Sequence, residues 1–249
     1  MLTPAQHIII MMAMKPGTDS AFPMAGLYRM LTWLSPGFPI GAFSYSHGLE
    51  AAVDCETICD RDSLQNWITA VVRWGNGRID ADILHDAYRA AASGDVAELT
   101  AANRRGIAFR ATAETRLETT AQGEAFLATC CAAWPEPFLV GWAAETVSTG
   151  AAVCHAAAIG AAMARAGIPL DSALTGYLHA MAGNLVSAGL RLGIVGQTDG
   201  QRILAALEPA VTVAVSNTLD RTDRFGSATF AVELASMAHE TQYTRLFRS

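Results

Sequence analysis

Two segments of 19 residues each, residues 146–164 and 172–190, contain no Asp, Glu, Lys or Arg. Uncharged segments of this length are long enough to cross a bilayer, and in a water-soluble protein they are typical of the core. The first is rich in Ala and Gly and also holds His155, and the second holds His179 and Asn184. Neither has the flanking basic clusters or the aromatic belt of a membrane span. We therefore interpret both as buried helices at the centre of a water-soluble fold, with a membrane helix as the less favoured alternative.

The composition of the whole chain supports a helical interpretation. Of 249 residues 47 are alanine, and charged residues make up only 16%, against about 25% in a typical globular protein. Alanine is the strongest helix former, and its small side chain lets helices approach closely. No run of alternating apolar and polar residues indicates a strand. We expect an all-α, single-domain bundle of about ten helices with small-residue packing.

Three regions are expected along the chain. Residues 1–24 are predicted to be a disordered or weakly ordered extension, residues 25–240 the helical domain, and residues 241–249 a partner-binding tail. The apolar run in the extension follows no basic residue, which a secretory signal requires. Five cysteines, an odd number with irregular spacing, favour the reducing cytoplasm over a disulfide framework. A net charge of −6 argues against nucleic acid as a partner.

Local signals predict where several helices begin and end. Asp62 and Thr198 each start a pattern that resembles a capping box, with Gln at the third position after it. Pro and Gly residues interrupt the chain at 35–41, and a break is expected near 109–113. Pro209 is expected to kink the helix that follows Thr198. The short β-like run at 211–215 is interpreted as helix.

No standard catalytic motif is present. The sequence lacks the phosphate-binding, dinucleotide-binding, zinc-protease and serine-hydrolase patterns. Cys55 and Cys59 stand four residues apart and could meet one ion, but two ligands make a weak metal site. We predict no catalytic residue, no metal site and no cofactor.

A cluster of charged residues lies between positions 104 and 118. Arg110 and Glu114 are spaced to attract each other on a helix, whereas Glu114 and Glu118 repel. A solvent-exposed helix face is the expected arrangement for this cluster. Arg191 follows a long uncharged helix, so we expect it to form a buried or interfacial ion pair.

Two segments have a composition typical of interaction surfaces. The C-terminus carries Tyr, Leu, Phe and two Arg in its last seven residues, and Tyr and Arg are enriched among residues that dominate binding energy. Such a tail is expected either to fold onto a partner or to pack on its own domain. The loop at 35–43 presents Phe38 and Phe43, which either contact a partner or fill the core.

At these residues the chain resembles the UreF family of urease accessory proteins. The resemblance is carried by the collinear segments at residues 31–36, 39–50, 184–188, 191–192, 196–201 and 239–249, and in part by 112–123. It covers about residues 27–249.

The resemblance implies an all-α homodimer that is not an enzyme. It implies binding to a second accessory protein, UreD (also called UreH), and recruitment of the nickel-carrying GTPase UreG to the urease apoprotein. The complex helps to insert nickel, UreF modulates the GTPase, and the family's C-terminal segment takes part in binding UreD. The candidate partner-binding residues are Tyr243, Arg245, Leu246, Phe247 and Arg248 in the tail, and Pro39, Phe43, Ser44, Tyr45, Gly48 and Glu50 in the loop.

Two other hypotheses remain at this point. The protein itself could carry nickel on His47, His155, His179 or its cysteines. Alternatively, it could supply an arginine in trans to a partner GTPase.

Overall fold

The computed structural model describes residues 23–222 and 226–248, and all regular elements in that part of the chain are helical. This confirms the expected all-α class. The elements are α1 (Met24–Trp33), a 3₁₀ turn (Ala42–Ser44), α2 (Leu49–Asp54), α3 (Arg61–Trp74), α4 (Asn76–Ser93), α5 (Val96–Ala108), α6 (Ala113–Ala133), α7 (Pro137–Thr149), α8 (His155–Arg165), α9 (Leu170–Arg191), α10 (Gln197–Asp220) and α11 (Phe230–His239).

Helix α8 lies at the centre of the fold, and seven of its eleven residues are Ala or Gly. Nearly all of its side chains are buried. It packs most extensively against α4, and a Cβ added at Gly160 would lie only 2.6 Å from the carbonyl oxygen of Leu84. The two backbones therefore approach more closely than any larger residue allows. This is the close packing that the small-residue composition predicts.

The two uncharged segments differ from each other in the structure. The segment at 146–164 is not the single buried helix that we expected, because Gly150 adopts a left-handed φ of 64° that ends α7 before α8 begins. Residues 147–151 are exposed, whereas residues 153–163 are buried. The segment at 172–190 forms most of α9 but is buried on one side only, with Leu174 and Leu178 in the core and His179 exposed. Within the described residues no helix is long and apolar enough to cross a membrane.

Two predicted helix starts are wrong. Helix α3 is capped by Asp60, whose carboxylate accepts the backbone N–H of Ser63 at 2.8 Å, so the capping box begins two residues before Asp62. Helix α10 begins at Gln197 after an extended Gly196, which places Thr198 inside the helix. A helix needs only one cap, and the earlier residue takes the role in both cases.

Other boundaries agree with expectation. The chain leaves the helical state between α5 and α6, and the run at 211–215 is helical. Pro209 lies inside α10, which runs without interruption from Gln197 to Asp220, and the kink expected there stays a prediction. Of the expected N-terminal extension, residues 1–22 lie outside the described residues, whereas Met24 begins α1.

Candidate functional site

The C-terminal segment, residues 240–248, packs back onto its own chain. Phe247 is only 3% exposed, and the backbone N–H of Arg248 donates to the carbonyl oxygen of Ser44 at 2.8 Å. Of the two arrangements expected for the tail, the structure shows the one in which it docks on its own domain. The loop at 39–50 receives it, so the two candidate surfaces form one site.

Glu50 holds the C-terminal segment through its backbone. This residue lies in the first turn of α2 and is buried. Its carboxylate oxygens accept the N–H groups of Leu246 at 2.6 Å and Phe247 at 2.9 Å. Hydrogen bonds to a charged acceptor are roughly twice as strong as neutral ones. One carboxylate therefore fixes the segment at two successive residues.

His239 joins this carboxylate to a second one. Its ring is fully buried, with Nε2 at 3.1 Å from Glu50 Oε2 and Nδ1 at 2.7 Å from Glu114 Oε2. Both ring nitrogens of His239 therefore face a carboxylate oxygen at hydrogen-bond distance. Arg245 adds a guanidinium at 2.8 Å from Glu114 Oε1. The cluster thus pairs two acidic side chains with two basic ones.

Close backbone contacts place these elements against each other. Gly48 adopts a φ of 74°, and a Cβ there would lie 2.6 Å from the backbone nitrogen of Ser236 in α11. The hydroxyls of Ser236 and Thr112, at the start of α6, lie 2.9 Å apart. Only glycine satisfies both the left-handed backbone and the close approach. The starts of α2 and α6 and the end of α11 therefore meet beneath the C-terminal segment.

Aromatic side chains complete the anchoring. The guanidinium of Arg191 lies 4.2 Å from the ring centre of Phe247, a cation–π geometry. Burial lowers the pKa of Arg191. The ion pair expected for Arg191 is not what the structure shows. Tyr45 is buried beneath the segment, and its backbone carbonyl oxygen accepts a hydrogen bond from the side-chain amide of Asn184 at 3.3 Å. Burial raises the pKa of the Tyr45 phenol, which therefore stays neutral.

Other candidate residues of the site face solvent. Tyr243 is fully exposed, Leu246 is 60% exposed and Phe43 is 66% exposed. Pro39, Arg245 and Arg248 are also exposed. The site therefore contains buried residues that anchor the C-terminal segment and exposed residues that face solvent.

Helix α11 extends the exposed apolar surface along the chain. Phe230, Leu234 and Met237 are all exposed and are spaced four and three residues apart. That spacing places them on one face of the helix. Contiguous exposed apolar patches are common at interaction sites.

The charged cluster at 104–118 is only in part the solvent-exposed face that we expected: Arg104 and Arg116 are exposed, but the side chains of Arg110, Glu114 and Glu118 are buried. Arg110 is buried and pairs with Asp80 of α4, not with Glu114. Glu114 binds His239 and Arg245, and Glu118 lies 3.0 Å from His47. The start of α6 is covered by other elements, so its carboxylates meet partners from distant parts of the chain. His239 itself carried no local sequence signal.

Metal ligation finds no support in the part of the chain that the structure describes. Those residues contain no group of three or more His, Cys, Asp or Glu placed to hold an ion. Cys55 and Cys59 are exposed and free, and His179 is exposed.

The fold and site together define a class: an all-helical protein whose buried polar groups hold and present a segment of its own chain. Comparison of the sequence with known proteins identifies the family. The UreF family model matches residues 58–208. A urease accessory protein UreF of Rhodopseudomonas palustris strain BisB5 is 48% identical over 240 residues, covering 94% of this chain and 98% of the relative. Those of Bradyrhizobium strain ORS 278 and Azorhizobium caulinodans are each 46% identical, covering 94% and 88% of this chain and 96% and 94% of the relatives. The chain belongs to the UreF family.

Proposed function

We propose that this protein is a urease maturation factor. With UreD (UreH) it forms a scaffold that recruits and regulates the nickel-carrying GTPase UreG, so that nickel is inserted into the urease apoprotein. In this role it acts as a cytoplasmic homodimer and an assembly chaperone, with no catalytic centre of its own. Family membership and the names of the relatives support the pathway, and the presented C-terminal segment supports the role in binding.

One observation carries the proposal: some groups of the C-terminal segment hold it on the domain, and others face solvent. The Phe247 side chain and the backbone N–H groups of Leu246 and Phe247 anchor the segment. The side chains of Tyr243 and Leu246, in the same segment, are exposed. A segment held in place before binding loses less conformational entropy when a partner arrives. Burying two large apolar side chains contributes on the order of 1.5–3 kcal/mol each. The exposed residues, together with Phe43, are therefore the proposed UreD contacts.

Co-purification tests this proposal. The full chain is co-expressed with UreD and UreG, beside a variant that lacks residues 242–249. We expect the deletion to abolish recovery of UreD and, with it, UreG, while circular dichroism shows an unchanged helical signal. Val147→Ala, at an exposed apolar residue on α7, serves as a control that should retain both partners. Full recovery of UreD by the deletion variant would contradict the assignment.

The homodimer is tested separately. Light scattering after size exclusion should report twice the chain mass of 26.3 kDa. A monomer at micromolar concentration would refute the proposed dimer without affecting the proposed UreD surface.

A further inference from the structure

A cavity of about 390 Å³ lies behind the loop that receives the C-terminal segment. Its mouth is formed by exposed residues of the loop and of α9, namely Ser35, Pro36, Phe43 and His179. Its floor is buried and comes from α4, α6, α8 and α9. The volume falls within the range of small-molecule sites in proteins. None of the anchoring contacts of Glu50 or His239 uses this space.

The charges on the floor are paired with each other. Asp80 accepts from Arg110 and from the phenol of Tyr177 at 3.0 Å. Glu118 lies 3.0 Å from Nε2 of His47. Burial alone would lower the pKa of His47, but attraction to Glu118 and the hydrogen bond with it outweigh burial and raise the pKa. On the floor, two carboxylates are therefore paired with the Arg110 guanidinium and the His47 ring, and a charged occupant would meet no unpaired counter-ion.

Three ring nitrogens in the lining are buried and have no hydrogen-bond partner. They are Nε1 of Trp33, Nδ1 of His47 and Nε2 of His155, each in a side chain that is more than nine-tenths buried. The indole nitrogen can only donate, and Nδ1 of His47 donates whenever that ring is protonated. Burial lowers the pKa of His155 to about 4, so this ring is neutral. Buried donors without acceptors are rare in proteins, so the indole N–H of Trp33 calls for an oxygen acceptor.

The walls above this floor are apolar. They include the rings of Trp33 and Phe38 and the side chains of Ile40, Met181 and Leu204. An occupant that satisfies both surfaces has a flat apolar body and an acceptor oxygen at one end.

We propose that this cavity is a binding site for a small neutral molecule with a carbonyl-type oxygen and a flat apolar body, such as an aromatic amide. The carbonyl oxygen accepts the unpartnered indole N–H of Trp33, and the body packs against Trp33 and Phe38. The loop that roofs the site also accepts the Arg248 N–H at Ser44. Occupation of the cavity therefore supports the loop on which the C-terminal segment rests.

Three related probes test the proposed chemistry on the full-length protein. Benzamide is neutral with an acceptor, benzoate adds a negative charge, and toluene lacks the acceptor. Binding is followed by saturation-transfer NMR and by the indole N–H signals in ¹⁵N spectra. We expect saturable benzamide binding that shifts one indole signal, with benzoate and toluene each at least tenfold weaker.

A matched pair of variants locates the site. Gly183 in α9 lines the cavity, and a Cβ there meets no atom within 4 Å. Gly183→Leu should fill the cavity and weaken benzamide binding at least tenfold. Gly141 in α7 is also helical with open space at its Cβ and lies outside the lining, so Gly141→Leu should bind normally.

Several results would overturn the proposal. One is no saturable benzamide binding at millimolar concentration, which would mean that water alone satisfies the ring nitrogens. Equal binding of toluene or benzoate would refute the acceptor or the neutrality argument. Equal loss in the Gly141→Leu control would place the site elsewhere. The probe series on the wild-type protein decides the chemistry even if Gly183→Leu fails to fold.

Discussion

Replacing Glu50 by glutamine should release the C-terminal segment while the helical fold persists. The carboxylate accepts two backbone N–H groups and lies within hydrogen-bond distance of one ring N–H. Glutamine has a single acceptor oxygen and a donor in place of the second, so at least one N–H loses its partner. A hydrogen bond to a charged group contributes about 1.5–3 kcal/mol. Taking about 3 kcal/mol, the ratio of docked to released segment falls roughly a hundredfold.

Amide hydrogen exchange measures this change directly. In Glu50→Gln the amides of Leu246 and Phe247 should exchange about a hundredfold faster, while amides in α8 keep their protection. Glu98→Gln, at an exposed residue in the first turn of α5, is the matched control and should leave both regions unchanged. Unaltered protection at Leu246 and Phe247 in Glu50→Gln would refute the anchoring role of the carboxylate.

Three further predictions follow from the packing. Phe247→Ala removes the buried ring, at a cost of about 3 kcal/mol in docking, so trypsin should cleave at Arg245 much faster than in wild type. Gly123→Ala places a Cβ 2.1 Å from the carbonyl oxygen of Val153 and should lower the free energy of unfolding by at least about 2 kcal/mol in urea titrations. His155 has its pKa lowered from 6.5 to about 4, so the unfolded chain takes up the proton first as the pH falls. The free energy of unfolding should fall by about 2 kcal/mol between pH 7 and pH 5. His155→Phe should remove most of this pH dependence.

Much of the fold follows from the sequence because its signals are local. Alanine and glycine at close spacing predict helices that approach each other, and α8 shows this arrangement. The break between α5 and α6 also follows from a local signal. Helix starts were less predictable, since several residues near one terminus can serve as the cap, as Asp60 does in place of Asp62.

The site could be predicted only as two separate segments. Both the tail and the loop have unusual compositions, but Glu50 and Leu246 are 196 residues apart in the chain, and no periodicity indicates that they meet. The carboxylates of α6 show the same limit. Spacing along a helix gives which residues share a face, but not whether another element covers that face. The buried face of α6 carries Glu114 and Glu118 because distant basic groups neutralise them.

The affinity for UreD tests the central claim, that the docked C-terminal segment presents the partner surface. Tyr243→Ala combined with Leu246→Ala removes two exposed side chains that the structure does not use for anchoring. The dissociation constant should rise at least tenfold in the double variant, with unchanged thermal stability, and stay at the wild-type value in Val147→Ala. A wild-type dissociation constant in the double variant would contradict the account.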